Sequence, residues 1–193
     1  MFVQCSFIHA LSLREFYPFS RFTDNKLPAN DDGSSGELTL SVPFPFFRSK
    51  YQRLFVNTNG VISFKDSVEE FTPVTFPTAN GQPMIAPYWA DVDTRNGGEV
   101  FYRQSSNVEL LQRATNDVKR FFPGKFPSFQ ASWVFIATWQ NVSRFRRARS
   151  LTNIAEPMRN TFQVVLITNG RHSFAIFYYG KIEWTTGDAS KSI

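Results

Sequence analysis

The residues of this chain best suited to chemistry lie between positions 84 and 103, in MIAPYWADVDTRNGGEVFYR. Read as a strand, residues 85–93 send Trp89, Asp91 and Asp93 to one face, because strand side chains alternate with a period of two. A tryptophan beside two carboxylates can bind a glycan. The carboxylates, with carbonyls of the following turn, can also hold Ca²⁺, and Asp31 and Asp32 can add oxygen ligands if their loop folds nearby. The competing role is structural: Asp91 and Asp93 accept the backbone N–H groups of the turn at 94–98. Catalysis is poorly served. Two carboxylates adjacent on one strand do not flank a substrate as a glycosidase pair must. His9 and His172 are too few and too far apart for zinc. Ser34 and Ser35 follow an Asp-Asp-Gly turn with no evident His or Asp to activate them. The expectation is therefore no catalytic residue, no enzyme and no cofactor, with Asp91 and Asp93 as the metal candidates.

Two further motifs stand close together. Asn141-Val142-Ser143 is an N-glycosylation sequon. The run RFRRAR that follows carries Arg144, Arg146, Arg147 and Arg149. Its Arg-x-Arg-Arg pattern suits cleavage after Arg147 by a secretory convertase. Four like charges also attract sulfated glycans, and the plain alternative is a solvated basic loop.

Composition bounds the rest. The chain has 193 residues, enough for one sizeable domain. Aromatic residues make up 17% and charged residues 19%, the reverse of a disordered chain. The net charge of +5 is concentrated in the arginine run, and one interleaved aromatic, Phe145, is too thin for nucleic-acid stacking. No nucleic-acid partner is expected. A single cysteine, Cys5, excludes an internal disulfide, and no apolar run is long enough to span a membrane. Residues 2–13 are moderately apolar, with Ala10 and Ser12 spaced as at a cleavage site. No basic residue lies near Met1, however, and Gln4, Ser6 and His9 interrupt the run, so it makes a poor signal peptide. Residues 1–15 read as a leader or dispensable arm, 16–190 as one domain and 191–193 as a tail.

The elements that would position these residues are mainly strands. Residues 14–36 read as loop and 37–42 as a strand, with Pro43 and Pro45 demoting the next residues to an edge or bulge. Asn59-Gly60 and Asn169-Gly170 are type I′ hairpin signals; two-residue loops there set Phe55 opposite Phe64 and Phe162 opposite Phe177. Residues 71–87 are proline-punctuated connection, and 99–103 form a strand. Ser106 and Glu109 have capping-box spacing for one amphipathic helix at about 107–122, with Val108, Leu111, Thr115, Val118 and Phe122 near one face. Residues 129–142 read as a central strand with Trp133, Phe135 and Trp139 on one face and Val134 and Ile136 on the other. Residues 181–186 can add a last short strand. The expected class is α+β and strand-rich, a mainly antiparallel, sandwich-like β core with that one helix.

A series of short motifs runs through the chain in order: Tyr17-Pro18-Phe19, Asp31-Asp32-Gly33-Ser34, Val42-Pro43-Phe44, Val56-Asn57-x-Asn59-Gly60-Val61-Ile62-Ser63-Phe64 and Phe71-Thr72-Pro73. Ala86-Pro87-Tyr88-Trp89-Ala90-Asp91-Val92-Asp93, Val100-x-Tyr102-Arg103, Arg113-Ala114-Thr115 and Trp133-Val134-Phe135-x-Ala137-Thr138-Trp139 follow. Asn160-Thr161-Phe162-Gln163 and Trp184-Thr185-Thr186-Gly187 close the series. Together they resemble the NIDO domain, the extracellular nidogen-like module, over residues 16–190. The resemblance implies a secreted, non-enzymatic module of matrix proteins, associated with cell–matrix adhesion and with matrix or cell-surface protein partners. It brings no defined ligand residues.

Overall fold

The computed structural model describes residues 10–147 and 157–190; Cys5, His9 and Arg149 lie outside the described residues. Among the described residues, nine strands build two antiparallel sheets. The larger has the order β1 (Asn25–Lys26), β6 (Glu99–Ser105), β7 (Trp133–Val142), β8 (Asn160–Thr168) and β9 (Ser173–Ile182). The smaller has the order β2 (Leu38–Phe46), β3 (Ser49–Asn57), β4 (Val61–Ser63) and β5 (Met84–Ile85). The helix α1 (Val108–Phe121) follows β6.

Alternation along β7 divides the interior. Trp133, Phe135, Ala137 and Trp139, with Phe162 of β8, face the smaller sheet, where they meet Leu54, Val56 and Ile62 in the main core. Val134 and Ile136 face the other way, onto Ala114 and Val118 of α1 and onto Phe16 and Tyr17 of the N-terminal arm. The result is three layers, sheet on sheet with a helix behind, which buries both faces of the central strands. The buried indoles are all satisfied: Trp133 donates to Gln104, Trp139 to the carbonyl of Thr58 and Trp184 to that of Val142. The arm is tied down by Gln163, whose side chain bonds both the N–H and the C=O of Tyr17, as a strand neighbour would.

The class matches expectation, as does the central position of β7. Pro43 and Pro45 sit on an edge strand beside a register break between Thr39 and Phe44. Several local expectations are corrected. Asn57 pairs with Val61, so the first hairpin has a three-residue loop and Phe55 faces Ser63 instead of Phe64. Thr168 pairs with Ser173, so the second has a four-residue loop and Phe162 faces Tyr179, while Phe177 faces Val164. Its cause is Asn169, whose side chain accepts the N–H groups of Arg171 and His172 and folds a loop two residues wider. The helix is capped by Asn107, not Ser106, through bonds from Glu109 and Leu110. Val108, expected on the buried face, is 79% exposed; Ala114, Thr115 and Val118 carry the contact. Residues 86–93 form no strand, and of the last strand expected at 181–186 only Lys181 and Ile182 are extended, as the end of β9.

Phe162 is fully buried and stacks on Trp139 at 4.9 Å. In urea unfolding, Phe162→Ala should cost about 3–5 kcal/mol. Val108→Ala should stay within about 0.5 kcal/mol. Similar losses at both positions would place the helix on a different face.

Candidate functional site

The site is built around a hairpin tip that is buried rather than solvated. Asn57, Thr58 and Asn59 are buried, although tips of this kind normally meet water. Gly60 has φ +79°, and a Cβ there would sit 1.9 Å from the carbonyl oxygen of Tyr88, so only glycine fits. Asn59 then joins three segments. Its backbone carbonyl accepts from Ala90 (3.2 Å), its side-chain oxygen accepts from the Val92 N–H (2.9 Å), and its amide donates to Asp32 (2.7 Å). Thr94 exchanges hydrogen bonds with Asn30, which holds the 30–32 loop on the same spot.

This packing gathers Asp31, Asp32 and Asp91, with one carboxylate oxygen of each within 4.8 Å of the others. Asp91 is 2% exposed and accepts from the Ser190 hydroxyl at 3.2 Å. Gly187 permits that approach, since a Cβ would lie 2.3 Å from the Asp91 carboxylate. Asp31 pairs with Arg95 at 2.8 Å through one oxygen, while the other is buried and has no hydrogen-bond partner among the described residues. Burial, and behind it the charges of Asp93 and Asp32, pushes the Asp31 carboxyl up to about 6. Burial likewise pushes Asp91 up to about 6, against the opposing bond from Ser190. Three crowded carboxylates form a hard oxygen-donor set of the kind divalent cations neutralise.

Asp93 stands apart from that set. It caps the short 3₁₀ turn Thr94–Asn96, and both its oxygens are taken by Arg95 and by the Asn96 amide. Trp89 also stands apart. Its indole N–H donates to the carbonyl of Glu70, and its ring lies 6.1 Å from that of Phe76. It lines a separate groove of about 290 Å³ with Asp66, Glu70, Asn80 and Gln82. The single face expected for Trp89, Asp91 and Asp93 does not exist, because the tip of the hairpin bends residues 86–93 out of strand geometry. Asn59 was legible only as a turn residue; nothing local in the sequence marks it as the hub.

The basic run begins beside this cluster. Val92 bridges to Arg144, and the N–H of Phe145 donates to the carbonyl of Asp91. Arg144 lies 3.7 Å from Asp188 and donates to the carbonyl of Thr186, and the N–H of Arg147 donates to Asp188. Burial and the charge of Arg146 together hold Arg159 below the usual arginine value. Asn141 is exposed, at φ +49° beside the register break on β7, and its side-chain oxygen accepts from Thr161. The sequon's Ser143 is buried and donates to the carbonyl of Asn96.

The raised carboxyls set a pH dependence. Carboxyls near 6 in the folded state, against about 4 unfolded, bind more protons folded than unfolded across that window. Their contribution is therefore most favourable at acid pH and is lost as pH rises through about 6. With a chelator present, the melting temperature should be higher at pH 5 than at pH 7, and Asp91→Asn should flatten the difference. A wild-type melting temperature that climbs from pH 5 to 7, with the same slope in the variant, would contradict this.

Comparison with known proteins accords with the motifs. The sequence profile of the nidogen-like domain matches residues 52–193. Over 183 residues the chain is 50% identical to alpha-tectorin of Gallus gallus and 43% identical to that of Homo sapiens, which covers 94% of this chain and 8% of each relative. It is 34% identical to nidogen-2 of Mus musculus, covering 93% of this chain and 13% of that protein. The chain thus spans under a tenth of the alpha-tectorins it matches. No solved structure matches it. A profile match over most of the chain, joined to a helix-backed pair of antiparallel sheets carrying the same ordered motifs, means that this chain belongs to the extracellular nidogen-like (NIDO) domain family.

Proposed function

We propose that the domain is a non-enzymatic contact module of the extracellular matrix, contributing to cell–matrix adhesion or matrix assembly through protein–protein contacts. The observation that carries this reading is kinship along 94% of the chain with alpha-tectorin, a matrix protein. The site supports it. Asn59, Arg95 and Ser190 already engage the acidic cluster, and Asp93 works as a helix cap, so the densest polar region acts as internal scaffolding. The exposed Asn141 carries an N-glycan in the secreted protein.

A second reading is glycan binding, and two observations favour it. Burial and, behind it, the nearby charge of Arg146 disfavour the Arg159 cation, and a sulfate there would offset both. Trp89 lines a groove edged with carboxylates and amides, the composition of a sugar site.

Expression in secretory cells separates the two. The domain should enter the medium and remain in deposited matrix after a salt wash, and heparinase should not release it. Enzymatic removal of N-glycans should shift the gel mobility of the wild type and leave Asn141→Gln unmoved. Release by heparinase would favour the glycan reading, and a wild type that washes off entirely would overturn the first.

A further inference from the structure

The two sheets do not match in width, and the mismatch leaves one corner open. Three of the four sheet edges are blunted: β1 and β5 are two residues long, and β2 carries Pro43 and Pro45. The fourth, β9, runs for ten residues, and its stretch from Ser173 to Gly180 has neither proline nor charge. Tyr179 aims its carbonyl away from β8, where it accepts the N–H of Leu11. By the two-residue period, Ala175 and Phe177 aim their N–H and C=O groups the same way. Among the described residues nothing bonds them there.

The side chains at this corner are as open as the backbone. Between β5 and β9 lies a groove of about 480 Å³, with no charged residue in its lining. It shares Phe46, Phe47, Phe76 and Met84 with a second groove of about 660 Å³. Phe47 is 93% exposed, Phe76 57% and Phe177 40%. Phe47 also sits at φ +51° in the β2–β3 turn, a conformation that glycine or asparagine adopts at lower cost. An exposed phenylalanine held in that conformation marks a contact rather than a core position.

Charge selects the occupant. Among the described residues Arg48 is the one charged residue lining either groove, while Lys50 and Lys65 line an adjoining groove that shares Tyr51, where the acid Glu37 is already held in a salt bridge. None of these three cations forms an ion pair among the described residues. A second copy would bring the same cations and the same net charge of +5.

We infer that this corner binds an extended segment of another protein, alternating apolar residues with a carboxylate at the Arg48 end. The segment pairs its backbone with β9 at Ala175 and Phe177 and lays its apolar side chains over Phe46, Phe76 and Phe177. This is strand addition to an open sheet edge, with the main chain supplying affinity and the groove and Arg48 supplying choice. The inference rests on the reading of the domain as a contact module and names its surface.

The test uses the full chain and labelled, end-blocked peptides of about ten residues, the upper end of strand length. They alternate valine and threonine, with aspartate at one end or the other, and fluorescence anisotropy reads binding. Saturable binding is expected for one polarity, weakened at least about tenfold by Phe177→Lys and about threefold or more by Arg48→Glu, and lost when alternate peptide nitrogens are methylated. Both substitutions are at exposed positions, and unchanged melting temperatures would confirm that the variants fold. No saturable binding to wild type, or binding indifferent to Phe177→Lys, would overturn the inference. So would a concentration-dependent dimer that Phe177→Lys abolishes, since the occupant would then be a second copy. Retention of Phe177→Lys in deposited matrix at the wild-type level would overturn the corner while leaving the contact-module reading intact. A wild type that is not retained would remove that reading.

Discussion

The inner face of the five-stranded sheet has to be kept from water, and a smaller sheet has to do it. That face presents Trp133, Phe135, Trp139, Phe162 and Leu166, all buried. Fully burying each such side chain is worth roughly 1.5–3 kcal/mol, so exposing even two would consume a large part of a domain's net stability. The smaller sheet contributes only three residues in β4 and two in β5. Irregular chain must complete the cover. Tyr88 and Trp184 fill from the side, with Tyr88 packing on Phe162 and donating to the carbonyl of Trp184.

The buried hairpin tip follows from the same need. Asn57 to Gly60 lies over the end of the core, where the Thr58 carbonyl meets the indole of Trp139. A buried tip must satisfy its polar groups internally, and Asn59 does so by gripping the acidic loop and residues 90–92. Crowding of Asp31, Asp32 and Asp91 is the consequence: the segments that Asn59 holds bring their carboxylates with them. The arrangement stores repulsion, which Arg95, Ser190 and partial protonation relieve.

What the sequence reveals depends on the range of the interaction. Alternation in residues 133–139 is a local property, so the central strand and its two faces were readable. The amphipathic helix was readable for the same reason, though not the exposure of Val108 at its first turn. Hairpin registers were not, because a side chain reached into each loop: Asn59 toward Asp32 and Val92, Asn169 toward the N–H groups after it. Asp91 and Asp93 look equivalent in sequence and part in the fold, one joining a loop sixty residues away and the other capping its own turn. Several residues of the ordered motifs carry packing requirements that only the fold makes visible. Gly60, Asn59 and Gly187 are unexceptional singly and tightly constrained together.

Where cover runs out, at the corner between β5 and β9, the fold exposes aromatic side chains together with backbone groups that nothing among the described residues bonds, and we infer binding there. Covalent carbene footprinting with mass spectrometry tests this most directly, comparing the domain free in medium with the domain held in deposited matrix. Phe47, Phe76 and Phe177 should label in the free domain and be shielded in the matrix. Phe22, 90% exposed in the N-terminal arm beside the opposite edge of the larger sheet, should label in both. Shielding of Phe22 or of residues 144–147, with the corner still labelled, would contradict the account.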